Sequence, residues 1–269
     1  MGVNSAGLRP KLKTFKKVIN DLQPSVFFIE ETKYQNAGML KLDNYHIFER
    51  VRQSKDGGGG LALSCLHELQ PAWVREGDDQ VEALSVEIYL KNMKIRCCVA
   101  YNCQETDQVE RKEAFWTYLD EEVQFADQAD TGFVLQFDGN LWAGEKIIPG
   151  DPRPQNINGK MFQHFLERHP HLMVVNSLPQ CQGLITRSRI RNDRVEKSVL
   201  DFFVICNRVL PFLTKIVIDE SKSHILTNYQ NVWKGGKAID SDHNTQYMDL
   251  DLKIESLKPE RKRDVQLQE

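Results

Sequence analysis

Two short segments of this chain hold groups suited to one kind of chemistry. An apolar run, Val134-Leu135-Gln136-Phe137, ends in Asp138-Gly139-Asn140, and a distant Ser241-Asp242-His243 lies just ahead of a final strand-like run. Together they supply a carboxylate, an amide and an imidazole. Metal-assisted phosphodiester hydrolysis needs such a set: one group to activate water, one to position it, and one to stabilise charge on the phosphate. Glu30-Glu31-Thr32 and Ser198-Val199-Leu200-Asp201 place further carboxylates at the borders of apolar runs. A hard cation such as Mg²⁺ takes oxygen ligands and keeps several waters, so Glu31 with one more carboxylate or amide suffices to hold it. If the run before Asp138 stays extended through Asn140, both side chains face one way. Asp201 stands among Val199, Leu200, Phe202 and Phe203, where a carboxylate needs a partner to offset its desolvation. His243 is the candidate, because a carboxylate beside an imidazole favours its charged form. A lone buried Asp is more often structural; four acidic strand ends and one His, each beside an apolar strand, reverse that preference.

The elements that must position these groups alternate along the chain. Pro10 to Leu22 reads as a helix, with Leu12, Phe15, Ile19 and Leu22 on one face and Pro10 in the first turn. Pro24 ends it, and Ser25 to Ile29 follows as a continuous apolar strand of the kind buried on both faces. The Gly57–Gly60 run opens a strand from Leu61 to Cys65; no Gly-Lys-Ser/Thr follows, so it is a turn rather than a phosphate loop. Val81 to Leu90 alternates and pairs with Ile95 to Tyr101 across a short link. Val109 to Gln128 is the longest helical pattern. Phe133 to Phe137 is a strand, Gly159 to Arg168 a helix, and Leu172 to Val175, Val199 to Ile205, Lys215 to Ile218 and Tyr247 to Leu252 are strands. Strands outnumber helices and many links are of hairpin length. Two packed mixed β-sheets with helices outside fit better than a doubly wound sheet.

Composition sets the outer limits. A chain of 269 residues with 41% hydrophobic content can bury one large core. A net charge of −3 announces no global basic field, although a local patch suffices to meet phosphates. The six cysteines lack paired Cys-x-x-Cys spacing and sit in apolar runs, as reduced thiols of an intracellular protein, nuclear or cytoplasmic, would. No apolar run reaches membrane-spanning length and no signal-peptide core begins the chain.

Taken in order, Asn4-Ser5-Ala6-Gly7-Leu8, Glu30-Glu31-Thr32-Lys33, Gly59-Gly60-Leu61-Ala62, Tyr101, Asp138-Gly139-Asn140, Asn156 to Gly159, Ser198 to Phe202 and Ser241-Asp242-His243 resemble the endonuclease/exonuclease/phosphatase (DNase I-like) superfamily. The likeness spans roughly Asn4 to Leu252. Asn158-Gly159, Val175-Asn176-Ser177 and Gly183 to Arg187 look most like the endonuclease domains of LINE-type non-LTR retrotransposons. The resemblance implies a four-layered α/β sandwich over residues 1–255, with 256–269 as a basic tail or linker. It also implies a Mg²⁺-dependent endonuclease, with Mn²⁺ able to substitute, that nicks one strand of double-stranded DNA, with a reverse transcriptase following in a parent polyprotein. Residue by residue, it gives Glu31 and Asn4 to the metal, with Asp242 at a second or shifted metal position. Asp138 activates water, Asn140 orients it, His243 held by Asp201 stabilises the phosphorane, and Tyr101 touches the phosphate. Asn156, Thr186, Arg187 and Arg189 fall to the substrate.

The chain also departs from that pattern. Ala6 stands where an acidic or amide residue is common, Glu30 where Gln is common, no proline follows Tyr101, and only three residues precede Asn4, which implies a shortened first strand. Two other readings therefore stand beside the nuclease: a relic serving as a nucleic-acid or protein-binding module, and a superfamily phosphatase or RNA phosphodiesterase. Arg187, Arg189, Arg191 and Arg194 cluster in a loop or β-hairpin that meets phosphates or is simply solvated, balanced by Asp193 and Glu196. Trp142 is either a base-stacking surface or a rim or core aromatic. His164, His169 and His171 lie on or after a surface helix, a place that argues against metal binding, and Trp116 with Phe115 belongs to the core.

Overall fold

The computed structural model describes residues 1–52, 59–104, 106, 108–151, 153–229 and 237–252. Gly57 and Gly58 of the glycine run and the basic tail from Lys258 onward lie outside the described residues. In chain order the strands and helices are β1 (Gly2–Asn4), α1 (Leu12–Leu22), β2 (Val26–Glu30), β3 (Tyr45–Arg50), β4 (Leu61–Leu66), β5 (Ala72–Glu76), β6 (Glu82–Tyr89) and β7 (Lys94–Tyr101). Then come α2 (Val109–Gln128), β8 (Gly132–Asp138), α3 (Ile157–Arg168), β9 (Leu172–Val174), β10 (Cys181–Gln182), β11 (Arg187–Arg191) and β12 (Arg194–Ser198). The last are β13 (Asp201–Cys206), β14 (Leu213–Ile218), β15 (Thr227–Asn228), β16 (Ile239–Asp240) and β17 (Gln246–Leu250).

Two mixed sheets form the centre. One runs β10-β14-β17-β1-β2-β4-β3, the other β5-β6-β7-β8-β13-β9. They meet through side chains such as Phe28 and Phe203, edge to face at 5.8 Å. Helix α1 covers the outer face of the first sheet, where Phe15 meets Phe27 at 5.5 Å. Helices α2 and α3 cover the second, with Trp116 stacked on Phe162 and both rings against Phe137. The result is the four-layered sandwich that the sequence implies.

The strand period of two decides what lies between the sheets. Phe28 faces the second sheet, so Glu30 does too, and so does Asn4, its register partner. In the second sheet Phe203, Gln136, Asp138, Asp201 and Tyr101 share the face toward the first, because Gln136 pairs with Phe203, and Asp138 with both Asp201 and Tyr101. The seam is apolar at one end and polar at the other.

Element boundaries differ from the sequence pattern for local reasons. The first helix begins as a 3-10 turn at Arg9–Lys11, and α3 begins at Ile157 because Asn156 caps it. Apolar periodicity does not reveal β3 and β5; both are edge strands, half-exposed and weakly apolar. The short first strand still does its work: three residues pair with β2 and bond to β17, and that suffices to place Asn4. None of the six cysteines is in a disulfide.

Candidate active site

The polar end of the seam gathers residues from both sheets. Asn4 ends β1 and donates from Nδ2 to Asp138 Oδ2 at 2.7 Å, while its Oδ1 accepts from the Ala6 amide at 2.9 Å. The methyl side chain of Ala6 therefore costs this contact nothing, since the backbone makes it. Opposite Asp138, the Asp201 carboxylate accepts from His243 Nδ1 at 2.9 and 3.0 Å. Asp138, Asp201 and His243 are all buried, with ligand-type atoms within 4.8 Å of one another. The bond at Nδ1 leaves Nε2 as the nitrogen available to a substrate.

Asp138 and Asn140 do not face the same way along one strand, contrary to expectation. Strand β8 ends at Asp138, and Asn140 turns into the left-handed region at φ 42°. That turn aims the Asn140 amide N–H at Asp138 Oδ1 (3.0 Å) and lets Asn140 Nδ2 donate to the Asn102 carbonyl at 2.8 Å. Glu31 is bent out of β2 in the same manner, at φ 50°, followed by Lys33 at φ 53°. Non-glycine residues in this region cost about 1 kcal/mol or more and persist where surrounding bonds hold them. Here the holders are Thr32 and Lys33, whose amides donate to the carbonyls of Gly60 and Gly59 at 2.9 Å each. Gly60 has φ +87°, and a Cβ there would lie 2.5 Å from Thr32 Oγ1. Gly59 and Gly60 are thus a backbone clamp on the Glu31 turn.

Charge is distributed unevenly. Burial works against the imidazolium of His243, but Asp201, through its charge and its hydrogen bond, and then Asp138 and Asp242, raise the pKa to about 9. Burial and the Asp201 charge together lift Asp138 to about 7, against the opposing pull of His243 and the Asn140 amide. Burial resists ionisation of Glu31, yet Lys33 Nζ at 3.1 Å and a hydrogen bond from Tyr101 hold its pKa below the ordinary value. The Tyr101 hydroxyl lies between Glu31 and Asn140, and burial followed by the charges of Asp138 and Glu31 pushes its pKa far up. Glu30 is fully buried, and desolvation, then Asp201 and Asp138, raise it well above the ordinary carboxylate value.

Among the described residues, Asp138, Asp201 and His243 bring ligand-type atoms close enough together to hold a metal ion. Glu31 and Asn4 add oxygen donors of the kind a hard divalent cation takes, and Glu31 pairs with the Lys33 ammonium at 3.1 Å, while Asp242 is held by Arg187.

Other expected residues take different places. Arg187 holds Asp242 with Nε and Nη2, both at 2.7 Å, so each is first of all the other's partner. Thr186 is completely buried, and its hydroxyl accepts from the amides of Leu200 and Asp201 at 2.8 and 3.1 Å; it seats the start of β13 rather than facing a substrate. Asn156 is the N-cap of α3. The arginine cluster is a hairpin, β11 with β12, carrying Arg189 paired to Glu196 at 2.7 Å and a highly exposed Ile190 and Val195 opposite each other. His169 and His171 pair with Asp120 and Asp127. Lys33 and Asn158 stand in motifs quoted above without a role of their own; Lys33 pairs with Glu31, and Asn158 donates to the carbonyls of Asn140 and Cys103 at 3.1 and 3.0 Å. A Lys two positions after Glu31 and the Asn-x-Asn-Gly before α3 were the available signals.

This chain has a DNase I-like fold. It matches the endonuclease domain of TRAS1, a telomere-specific non-LTR retrotransposon, with TM-score 0.64 and 14% identity over 94% of this chain and 97% of that one. A 3′ phosphatase from Neisseria bound to a product DNA hairpin matches with TM-score 0.66 and 15% identity over 93% and 98%. An AP endonuclease from Archaeoglobus fulgidus matches with TM-score 0.63 and 14% identity over 93% and 98%. No family model and no curated protein sequence matches the chain.

Proposed function

We propose that this chain is a divalent-metal-dependent DNA endonuclease of retroelement origin, nicking one strand of a duplex. The observation that carries the reading is the constellation at the seam, in which Asp138 is bonded to Asn4 and His243 to Asp201. The TRAS1 endonuclease shares the fold, and the retroelement reading rests on Asn158-Gly159, Val175-Asn176-Ser177 and Gly183 to Arg187. Each residue then has a task. Asp138, with its pKa lifted to about 7, accepts the proton of the attacking water at neutral pH. Asn140, fixed by its left-handed turn, orients that water or the phosphate. His243, kept protonated by Asp201, donates from Nε2 to a phosphate oxygen and offsets the negative charge of the pentavalent state. Tyr101 reaches the same phosphate from β7. Glu31 with Asn4 would hold a divalent ion, with Asp242 at a second position, and a bound ion would supply positive charge at the phosphate.

The substrate approaches across the β11–β12 hairpin, whose Arg189, Arg191 and Arg194 meet the backbone. DNA is the partner, and a reverse transcriptase downstream in a parent polyprotein is the further partner this origin implies. The test is nicking of supercoiled plasmid with Mg²⁺ or Mn²⁺, beside EDTA and His243→Ala controls. Metal-dependent nicking that both controls abolish supports the reading. Intact plasmid with folded wild-type protein and metal overturns it in favour of a binding module.

A further inference from the structure

A second feature is built on the same sheet edge, and its interpretation rests on the nuclease reading above. Trp142 lies two residues past Asn140, between the buried Leu141 and Ala143, yet its side chain is 41% exposed. Its backbone is fixed. Asn156 Oδ1 accepts from the amides of both Trp142 (3.1 Å) and Gly159 (2.9 Å). Helix α3 starts so close to the Trp142 carbonyl that a Cβ at Gly159 would lie 2.0 Å from its oxygen.

The Arg153 guanidinium stands 5.6 Å from the Trp142 ring centroid. It is itself anchored: Nε and Nη2 donate to the two oxygens of the buried Asp151 at 3.1 and 3.3 Å, and Nη2 also donates to the Val199 carbonyl at 3.4 Å. Val199 precedes Asp201 by two residues, so Arg153 ties the Trp142 loop to the strand that carries the histidine's partner. A large ring and a planar cation are thus held two residues past Asn140, at the rim rather than in the core.

We propose that Trp142, with Arg153 behind it, is a stacking platform for one nucleobase of the DNA, next to the phosphate addressed by Asn140 and His243. Stacking on an aromatic ring is nearly indifferent to base identity, because every base has a π-face. The platform therefore selects for a base that leaves its own stack easily, as at flexible pyrimidine–purine steps, and rewards local unstacking rather than a particular letter.

The test is binding of a labelled duplex in EDTA, followed by anisotropy, with single abasic positions scanned through the strand. Wild type, Trp142→Phe and Trp142→Ala are compared. Trp142→Ala is expected to weaken binding about tenfold, while Trp142→Phe stays within about threefold of wild type. In the wild type one abasic position should cost a similar factor, and that cost should vanish in Trp142→Ala, a coupling that a purely structural role would not produce. Wild-type binding with no such coupling, or unchanged affinity in Trp142→Ala, overturns this inference alone. Failure of the wild type to bind any duplex overturns the nuclease reading, and this inference with it.

Discussion

Asn4 and Asp138 are 134 residues apart in sequence and belong to different sheets, yet Nδ2 of one lies 2.7 Å from Oδ2 of the other. The bond crosses the seam of the sandwich and fixes the carboxylate proposed to take the water's proton. A hydrogen bond to the ionised form lowers a carboxylate's pKa. Replacing Asn4 with Ala is expected to raise the Asp138 pKa further, moving the acid limb of the rate profile to higher pH and lowering the rate on the order of 10²-fold. A pH–rate profile of plasmid nicking checks both effects; an unshifted acid limb would mean the bond does not tune Asp138.

His243 links activity and stability through one proton. Its folded pKa, about 9, lies above the ordinary 6.5, so the folded state binds the proton more tightly. That contribution, on the order of 3 kcal/mol, is fully present below pH 6.5 and is lost as pH rises through about 9. Urea unfolding of the metal-free protein should show wild type losing its advantage over His243→Asn across that window. The nicking rate should fall over the same range, and His243→Ala should lose roughly 10²–10³ in rate at about pH 7.5.

Glu30 is a fully buried carboxyl whose pKa is raised, first by desolvation and then by Asp201 and Asp138. A raised acid contributes its stability below the unfolded pKa and loses it as pH rises through the folded one. Glu30→Gln keeps the shape and removes the charge. At about pH 8 it is expected to stabilise the protein by about 1–3 kcal/mol, with the gain gone near about pH 4, by urea denaturation at the two pH values. Equal gains at both would show that Glu30 is not strained by its charge.

Ligand binding to the folded state alone raises its apparent stability. Millimolar Mg²⁺ or Mn²⁺ should therefore raise the melting temperature of wild type by a few degrees and leave Glu31→Ala unmoved. Calorimetry with and without EDTA decides this independently of cleavage.

The β11–β12 hairpin makes a prediction about salt. Removing one cation that pairs with a phosphate lowers the slope of log affinity against log salt by about 1. Arg191→Ala and Arg194→Ala, the cross-strand pair nearest the turn, should each flatten the slope by that amount and weaken binding similarly for all sequences. A slope that stays unchanged would return the hairpin to a solvated surface.

Much of the site is legible in residue order. The Val134–Phe137 run followed by Asp138, and Asp201 set among phenylalanines, mark strand ends bearing costly carboxylates, and His243 is the imidazole suited to offset one of them. The long helix Val109–Gln128 is legible to the residue from Phe115, Leu119 and Val123 at i, i+4 and i+8, although Lys112 and Glu122 are buried beside them. What stays hidden depends on backbone sign and on register. Nothing in Glu31 or Asn140 announces a positive φ, because the turns are imposed by Gly59, Gly60 and Leu200 from elsewhere in the chain. The inward hydroxyl of Thr186 and the Arg187–Asp242 pair follow from how β11 meets the loop before β17, which no local pattern encodes.

The seam itself has a further consequence. Asn4 and Glu31 come from the first sheet, Tyr101, Asp138 and Asp201 from the second, and His243 from the loop that precedes β17. No single stretch of chain carries the chemistry, and neither sheet alone can express it. Two fragments of this protein divided between Gln128 and Gly132 would each hold half of the reacting groups and be silent apart. Brought together by tethered partners, they would regain the proposed cleavage only as fast as the sandwich re-forms, the behaviour a split reporter needs.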